Sequence, residues 1–141
     1  MYNRFLIDTS FWINFILEGE LHHEETVETI KKSLEEGDRL FTTNDITDET
    51  VTRLFYDAGL KYAKGFFELF QQNIKRRSLA QLWVDEDLQA EAFEILSKFK
   101  EHKLSLTDAT SVAVMKRFNL DAIFSFDSDF KKIGINSLPQ T

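Results

Sequence analysis

Two short apolar runs stand near opposite ends of the 141-residue chain, and each stops abruptly at an aspartate. They are Phe5-Leu6-Ile7, followed by Asp8, and Ala122-Ile123-Phe124-Ser125-Phe126, followed by Asp127. Neither alternates apolar with polar residues, so each reads as a strand covered on both faces, the pattern of a parallel sheet. Parallel neighbours need long crossover connections, and the sequence between the runs has the period of helices. Phe11 to Leu17 predicts a short buried helix stopped near Gly19. Over 23–36, Val27, Ile30 and Leu34 mark the inner stripe of an amphipathic helix closed by Gly37.

Arg39 to Thr43 is a brief strand candidate. A helix from Asp45 follows, with Val51, Leu54, Phe55 and Ala58 as its stripe and Gly59 at its end. Residues 60–74 continue as helix carrying Phe66, Phe67 and Phe70, and Leu79 to Val84 reads as an edge strand. Asp85 is placed to cap a helix reaching about Lys100, with Leu88, Ala92, Leu96 and Phe99 inward. Leu106 to Phe118 is apolar on most faces and is expected to be buried, and a last short strand falls around Ile135. Strands alternating with helices predict an α/β fold: a three-layer sandwich with a mostly parallel central sheet flanked by helices. The length, without linker or repeat, predicts a single domain over residues 1–141.

Composition removes several function classes. With no cysteine there is no disulfide scaffold, thiolate metal site or cysteine nucleophile. Seventeen basic against 24 acidic residues, a net of −7, count against a protein that simply coats nucleic acid. Fourteen Phe with five Gly and one Pro do not make a disordered chain. The longest apolar stretch, 11–17, is broken by Asn14 and falls short of the ~20 residues a membrane span needs. Met1-Tyr2-Asn3-Arg4 does not read as a signal peptide, so a soluble, cytoplasmic protein is expected.

The chemistry is carried by carboxylates. Asp8 and Asp127 each follow an apolar strand, and Asp48-Glu49 and Asp108 lie in early turns of largely apolar helices. In an open parallel sheet, ligands bind beyond the carboxyl ends of the strands, so four separate segments converge on one crevice. Each acid has a plainer reading: Asp8 and Asp127 as turn or cap residues, Asp45 as an N-cap, and Ser105-x-x-Asp108 as a capping box. As a set they are harder to dismiss. Two carboxylates ~4 Å apart repel by roughly 4 kcal/mol at an effective dielectric near 20, so a cluster requires protons or cations. All-oxygen donors without His or Cys point to Mg²⁺ or Mn²⁺, ions that bridge phosphate and activate water. His22, His23 and His102 sit among charged residues and are expected to be exposed, without a catalytic task.

Phe5-Leu6-Ile7-Asp8-Thr9-Ser10 resembles the opening motif of the PIN-domain ribonucleases. Thr42-Thr43-Asn44-Asp45-Ile46-Thr47-Asp48-Glu49-Thr50 resembles that family's second motif, and Leu104-Ser105-Leu106-Thr107-Asp108-Ala109 its third. Ile123-Phe124-Ser125-Phe126-Asp127-Ser128-Asp129-Phe130 resembles the fourth. The resemblance implies a PIN-like sandwich and a Mg²⁺- or Mn²⁺-dependent hydrolase, with one or two ions, that cuts RNA phosphodiesters. By position it makes Asp8, Glu49, Asp108 and Asp127 the catalytic metal ligands, with Asp129 able to replace or assist Asp127 and Asp48 an alternative to Glu49. Thr9, Ser10 and Thr107 become hydroxyls that orient those ligands. It further implies a compact, homodimeric toxin of a toxin–antitoxin pair, of VapC type, with RNA as substrate and an antitoxin protein as partner.

Two rival readings remain at this level. A PIN-like module that binds RNA or protein without cutting it keeps the acids but shows no metal-dependent turnover. A phosphoacceptor regulatory domain needs an acidic pair after the first strand and a late lysine, whereas here Asp8 stands alone and Asp127 ends the late strand. Phosphate contacts in so acidic a chain must come from local cations, of which Arg53, Lys75-Arg76-Arg77, Lys98, Lys103, Lys116-Arg117 and Lys131-Lys132 are the candidates.

Overall fold

A computed structural model describes residues 2–139. Five parallel strands form one sheet: β1 (Arg4–Ile7), β2 (Arg39–Thr43), β3 (Leu79–Leu82), β4 (Ala122–Phe124) and β5 (Ser137–Leu138). Their order across the sheet is β3-β2-β1-β4-β5. The helices are α1 (Thr9–Ile16), α2 (His23–Glu35), α3 (Asn44–Ala58), α4 (Leu60–Arg76), α5 (Glu86–Lys98), α6 (Leu106–Arg117) and the single turn α7 (Asp129–Lys132). This is the expected α/β sandwich, with every strand pairing parallel.

Strand β1 lies in the middle because both of its faces are apolar. Leu6 and Ile7 are fully buried and point to opposite faces of the sheet. Ile7 and Leu40 share a small apolar cavity with Trp12 of α1, Ile30 of α2 and Leu69 of α4, which places those three helices on one face. On the other, Arg4 donates to the Phe118 carbonyl at the end of α6 and lies over the Phe41 ring. Helix α6 is buried continuously from Ala109 to Met115, as its all-round apolar pattern requires, and α5 packs against it. Phe124 closes the centre by packing on Phe5 and Phe11, with ring centroids 4.5 and 5.1 Å away.

Several expected helix faces are rotated. In α2 the fully or nearly buried residues are Thr26 and Ser33, while Val27 and Leu34 reach solvent. In α3 the inner stripe is Ile46, Thr47, Thr50 and Leu54, and Phe55 is exposed. Small hydroxyl side chains allow close approach to the sheet and satisfy themselves locally: Thr26 donates to the His23 carbonyl and Thr47 to that of Thr43. Phe66 and Phe70 are core residues but Phe67 is not. Helix α5 turns Ile95 inward, β4 ends two residues earlier than its apolar run, and β5 falls just beyond Ile135. No described helix is long and apolar enough to cross a membrane.

The strand order decides where a site can form. From β1 the chain moves outward through β2 to β3, then returns to the other side of β1 for β4 and β5. The switch in direction falls between β1 and β4, whose adjoining crossovers leave a crevice at their carboxyl ends.

Candidate active site

Asp8 and Asp127 flank that switch. Asp8 is the first residue after β1, and its amide donates to the Phe124 carbonyl of β4 at 3.0 Å. It occupies the N-cap position of α1 but makes no side-chain cap bond. Its carboxylate instead accepts from Ser125 Oγ at 2.8 Å and Ser10 Oγ at 3.1 Å, so the cap reading fails for its side chain. Burial pushes the Asp8 carboxyl up to about 6, against the lowering effect of the Ser125 bond, with the nearby Asp108 charge pushing the same way as burial.

Ser125 carries more than its sequence position suggested. Besides donating to Asp8, its oxygen accepts from the Asp127 amide at 3.0 Å. Ser10 adds a second bridge by accepting from the Phe126 amide at 3.1 Å. The two serines thus tie the turn after β4 to the turn after β1. Ser125 stands two residues before Asp127, where a small hydroxyl in an otherwise aromatic run was the available signal.

Asp108 enters from α6. The capping box is present: Ser105 Oγ accepts from the Asp108 amide at 3.0 Å and the Asp108 carboxylate accepts from the Ser105 amide at 3.1 Å. The plain reading and the functional one coexist, because burial raises the Asp108 carboxyl and the charges of Asp127 and Glu49 raise it further. Asp108 is the centre of the cluster, since Asp8, Asp127 and Glu49 are each close enough to act on it or be acted on by it.

Glu49 and Asp48 separate by helix geometry. Glu49 is half-buried and faces Asp108, whereas Asp48 is exposed and acts on Asp45. Thr43, not Asp45, caps α3, its Oγ1 accepting from the Ile46 amide at 3.0 Å. Asp45 is one residue inside the helix, where burial raises its carboxyl despite a bond to the Thr110 hydroxyl. Asp45, Asp48, Glu49, Thr52, Arg53 and Thr107 line an open groove of about 340 Å³ between α3 and the start of α6.

Asp129 differs from Asp127. The Asp127 carboxylate accepts from the Asp129 amide at 2.9 Å, and the Asp129 carboxylate pairs with Lys132 at 3.7 Å. Thr9 is buried and accepts a long 3.4 Å bond from Thr50 Oγ1, while Thr107 stands on the groove wall. His22, His23 and His102 are half-buried rather than exposed: His22 stacks on Phe126 with centroids 4.2 Å apart, and His23 Nδ1 meets the Asn14 carbonyl at 2.9 Å. The clustered ligand candidates have no cationic partner, since none of the described ion pairs involves Asp8, Glu49, Asp108 or Asp127.

This donor set is all oxygen, partly desolvated and unneutralised, which fits a hard divalent cation. Among the described residues no three Asp, Glu or His side chains already converge at ligating distance. Asp8 is turned toward two serines, Asp108 toward its cap and Asp127 toward the Asp129 amide. Holding an ion would require these carboxylates to turn from those partners.

Comparison with known proteins agrees with the fold. The PIN domain family matches residues 5–136. A "VapC ribonuclease" of Archaeoglobus fulgidus is 33% identical over 129 residues, covering 89% of this chain and 78% of that protein. The "23S rRNA-specific endonuclease VapC20" of Mycobacterium tuberculosis is 30% identical over 128 residues, covering 91% of this chain and 92% of its own. The crystal structure of VapC20, a Sarcin-Ricin loop cleaving toxin, superposes with a TM-score of 0.80 at 27% identity, over 96% of this chain and 99% of that one. A toxin–antitoxin complex from Klebsiella pneumoniae shares the fold at a TM-score of 0.62 and 17% identity, over 95% of each chain. With its strand order, its switch-point carboxylates and these matches, the chain belongs to the PIN-domain family, and within it to the VapC type.

Proposed function

We propose that this protein is a metal-dependent ribonuclease and the toxin of a toxin–antitoxin pair. The observation that carries the reading is the convergence of Asp8, Glu49, Asp108 and Asp127 on one crevice without a paired cation. Those four side chains hold Mg²⁺ or Mn²⁺, which when bound supplies Lewis acidity toward phosphate and water. Asp129, tied to Lys132, assists rather than ligates. Ser125 and Ser10 keep Asp8 oriented and favour its ionised form, because both donate to the carboxylate. Ser105 holds Asp108 from the other side of the crevice. Hydrolysis adds water across a P–O bond in line with the leaving oxygen, and the carboxylates position rather than attack. The four proposed ligands also account for more than half of the net charge of −7, so an acidic chain is compatible with an RNA substrate.

Phe11, Trp12, Ile13, Phe66 and Phe70 are core residues and offer no partner surface. Of the exposed apolar side chains, Phe55, Tyr56, Leu60, Tyr62 and Phe67 gather on the α3–α4 hairpin. This face is the one we assign to protein partners, an antitoxin or a second copy of the chain. The test of the enzymatic reading is cleavage of a mixed RNA pool, including ribosomal RNA, with Mg²⁺, Mn²⁺ or EDTA, beside Asp108→Asn. Cleavage that needs metal and disappears in the variant is expected. Folded protein that binds RNA but cuts nothing under any condition overturns the enzyme in favour of a binding module.

A further inference from the structure

Among the described residues one cation lines the groove beside the carboxylate cluster, and it is in none of the described ion pairs. Glu49 and Arg53 stand one turn apart on α3, so they project to the same side about 6 Å from each other along the axis. Both line the groove with Thr107 of α6 opposite. Carboxylates at i−4 and i+4, Glu49 and Asp57, are available to Arg53, yet no described ion pair includes it.

Among the described residues no other cation lines this groove. Lys75, Arg76 and Arg77 close α4 just before β3 begins, which puts them at the opposite end of the sheet from the cluster. Arg117 is held by Glu91 at 2.7 Å and Asp85 at 3.6 Å, and Lys132 by Asp129. Lys131 lines a separate depression with Gly134 to Ser137, and Lys103 lines no part of this groove. A phosphodiester strand entering here meets Asp45, Asp48 and Glu49, all of which repel it. Arg53 brings to this groove a guanidinium, a group that can offer two parallel donors to a phosphate.

We propose that Arg53 grips an RNA phosphate in the groove between α3 and α6, and thereby sets the register of the strand on the carboxylate cluster. This rests on the ribonuclease reading and extends it to a residue that positions substrate.

The test measures anisotropy of a fluorescein-labelled, mixed-sequence single-stranded RNA in the Asp108→Asn background, across a potassium chloride series. Arg53→Ala is expected to weaken binding about 10- to 100-fold, as for loss of one charge-assisted phosphate contact. It is also expected to reduce the slope of log K against log salt by about 0.7. Arg53→Lys restores the slope but only part of the affinity, since the point charge returns without the fork. In the otherwise native protein, Arg53→Ala raises KM with kcat little changed. Arg76→Ala, at the far end of the sheet, leaves affinity and slope as they were. Unaltered affinity and salt slope in Arg53→Ala, from a protein that cuts RNA, overturn this proposal alone. A native protein that neither binds nor cuts RNA overturns the ribonuclease reading together with it.

Discussion

Ser125 reaches across 117 positions of sequence to donate its hydroxyl to Asp8 at 2.8 Å, while its own oxygen accepts from the Asp127 amide. One small side chain therefore links the two aspartates that flank the switch point. Replacing it with alanine removes a bond that favours ionised Asp8 and frees the turn bearing Asp127. We expect Ser125→Ala to fold and to lose about 10- to 100-fold in divalent-metal affinity, measured by titration calorimetry with Mn²⁺. Unchanged affinity would mean that the serine only packs.

Asp8 makes the metal-free protein pH-sensitive in a defined direction. Its carboxyl lies near 6 in the folded chain against 3.8 when unperturbed, so folding favours its protonated form. The resulting stability is present in full below the unfolded value and is lost as pH rises through about 6. Asp108 and Asp45, also raised, act in the same direction. Thermal unfolding in EDTA should therefore show a higher midpoint at pH about 5 than at neutral pH. Asp8→Asn should flatten much of this dependence, add up to about 3 kcal/mol at neutral pH, and abolish cleavage.

Divalent metal should offset the same electrostatic cost. Mn²⁺ at about a hundred times its dissociation constant stabilises a one-site protein by about 2.7 kcal/mol, and the native chain should show a shift of that order. Asp108→Asn should show little of it, because it removes the central carboxylate. A shift of equal size in both proteins would place the ion somewhere other than the cluster.

Asp127 and Asp129 should behave unequally. Asp127→Ala removes a carboxylate that faces Asp108, and cleavage should fall by more than two orders of magnitude. Asp129→Ala breaks only a partly exposed pair with Lys132 and should leave cleavage within a few-fold. The reverse ranking in a single-turnover assay would exchange their roles.

Much of the architecture was legible because the strands are apolar on both faces and the helices have clear ends. Phe5-Leu6-Ile7 predicted a central strand, and Asp85 and Ser105 cap the helices they were expected to cap. Helix orientation was less legible where hydroxyls replace hydrocarbon. Thr26, Ser33, Thr47 and Thr50 are buried, and an apolar-period reading turns each helix toward its larger side chains instead. The places of carboxylates after strands and in helix starts single out the acidic segments, and the resemblance to the PIN family selects Asp8, Glu49, Asp108 and Asp127 among them. The choice between Asp48 and Glu49 waited on the true face of α3, and Ser125 was overlooked because a lone serine in an aromatic run carries no chemistry of its own.

The adjacency of β1 and β4 also sets an order in time. Asp8 precedes Asp127 in the sequence by most of the fold, and the strand that seats Asp127 can pair with β1 only after residues 122–124 have been made. The crevice is thus a property of one strand pairing: whatever parts β4 from β1 separates Asp127 from Asp8 without altering either side chain.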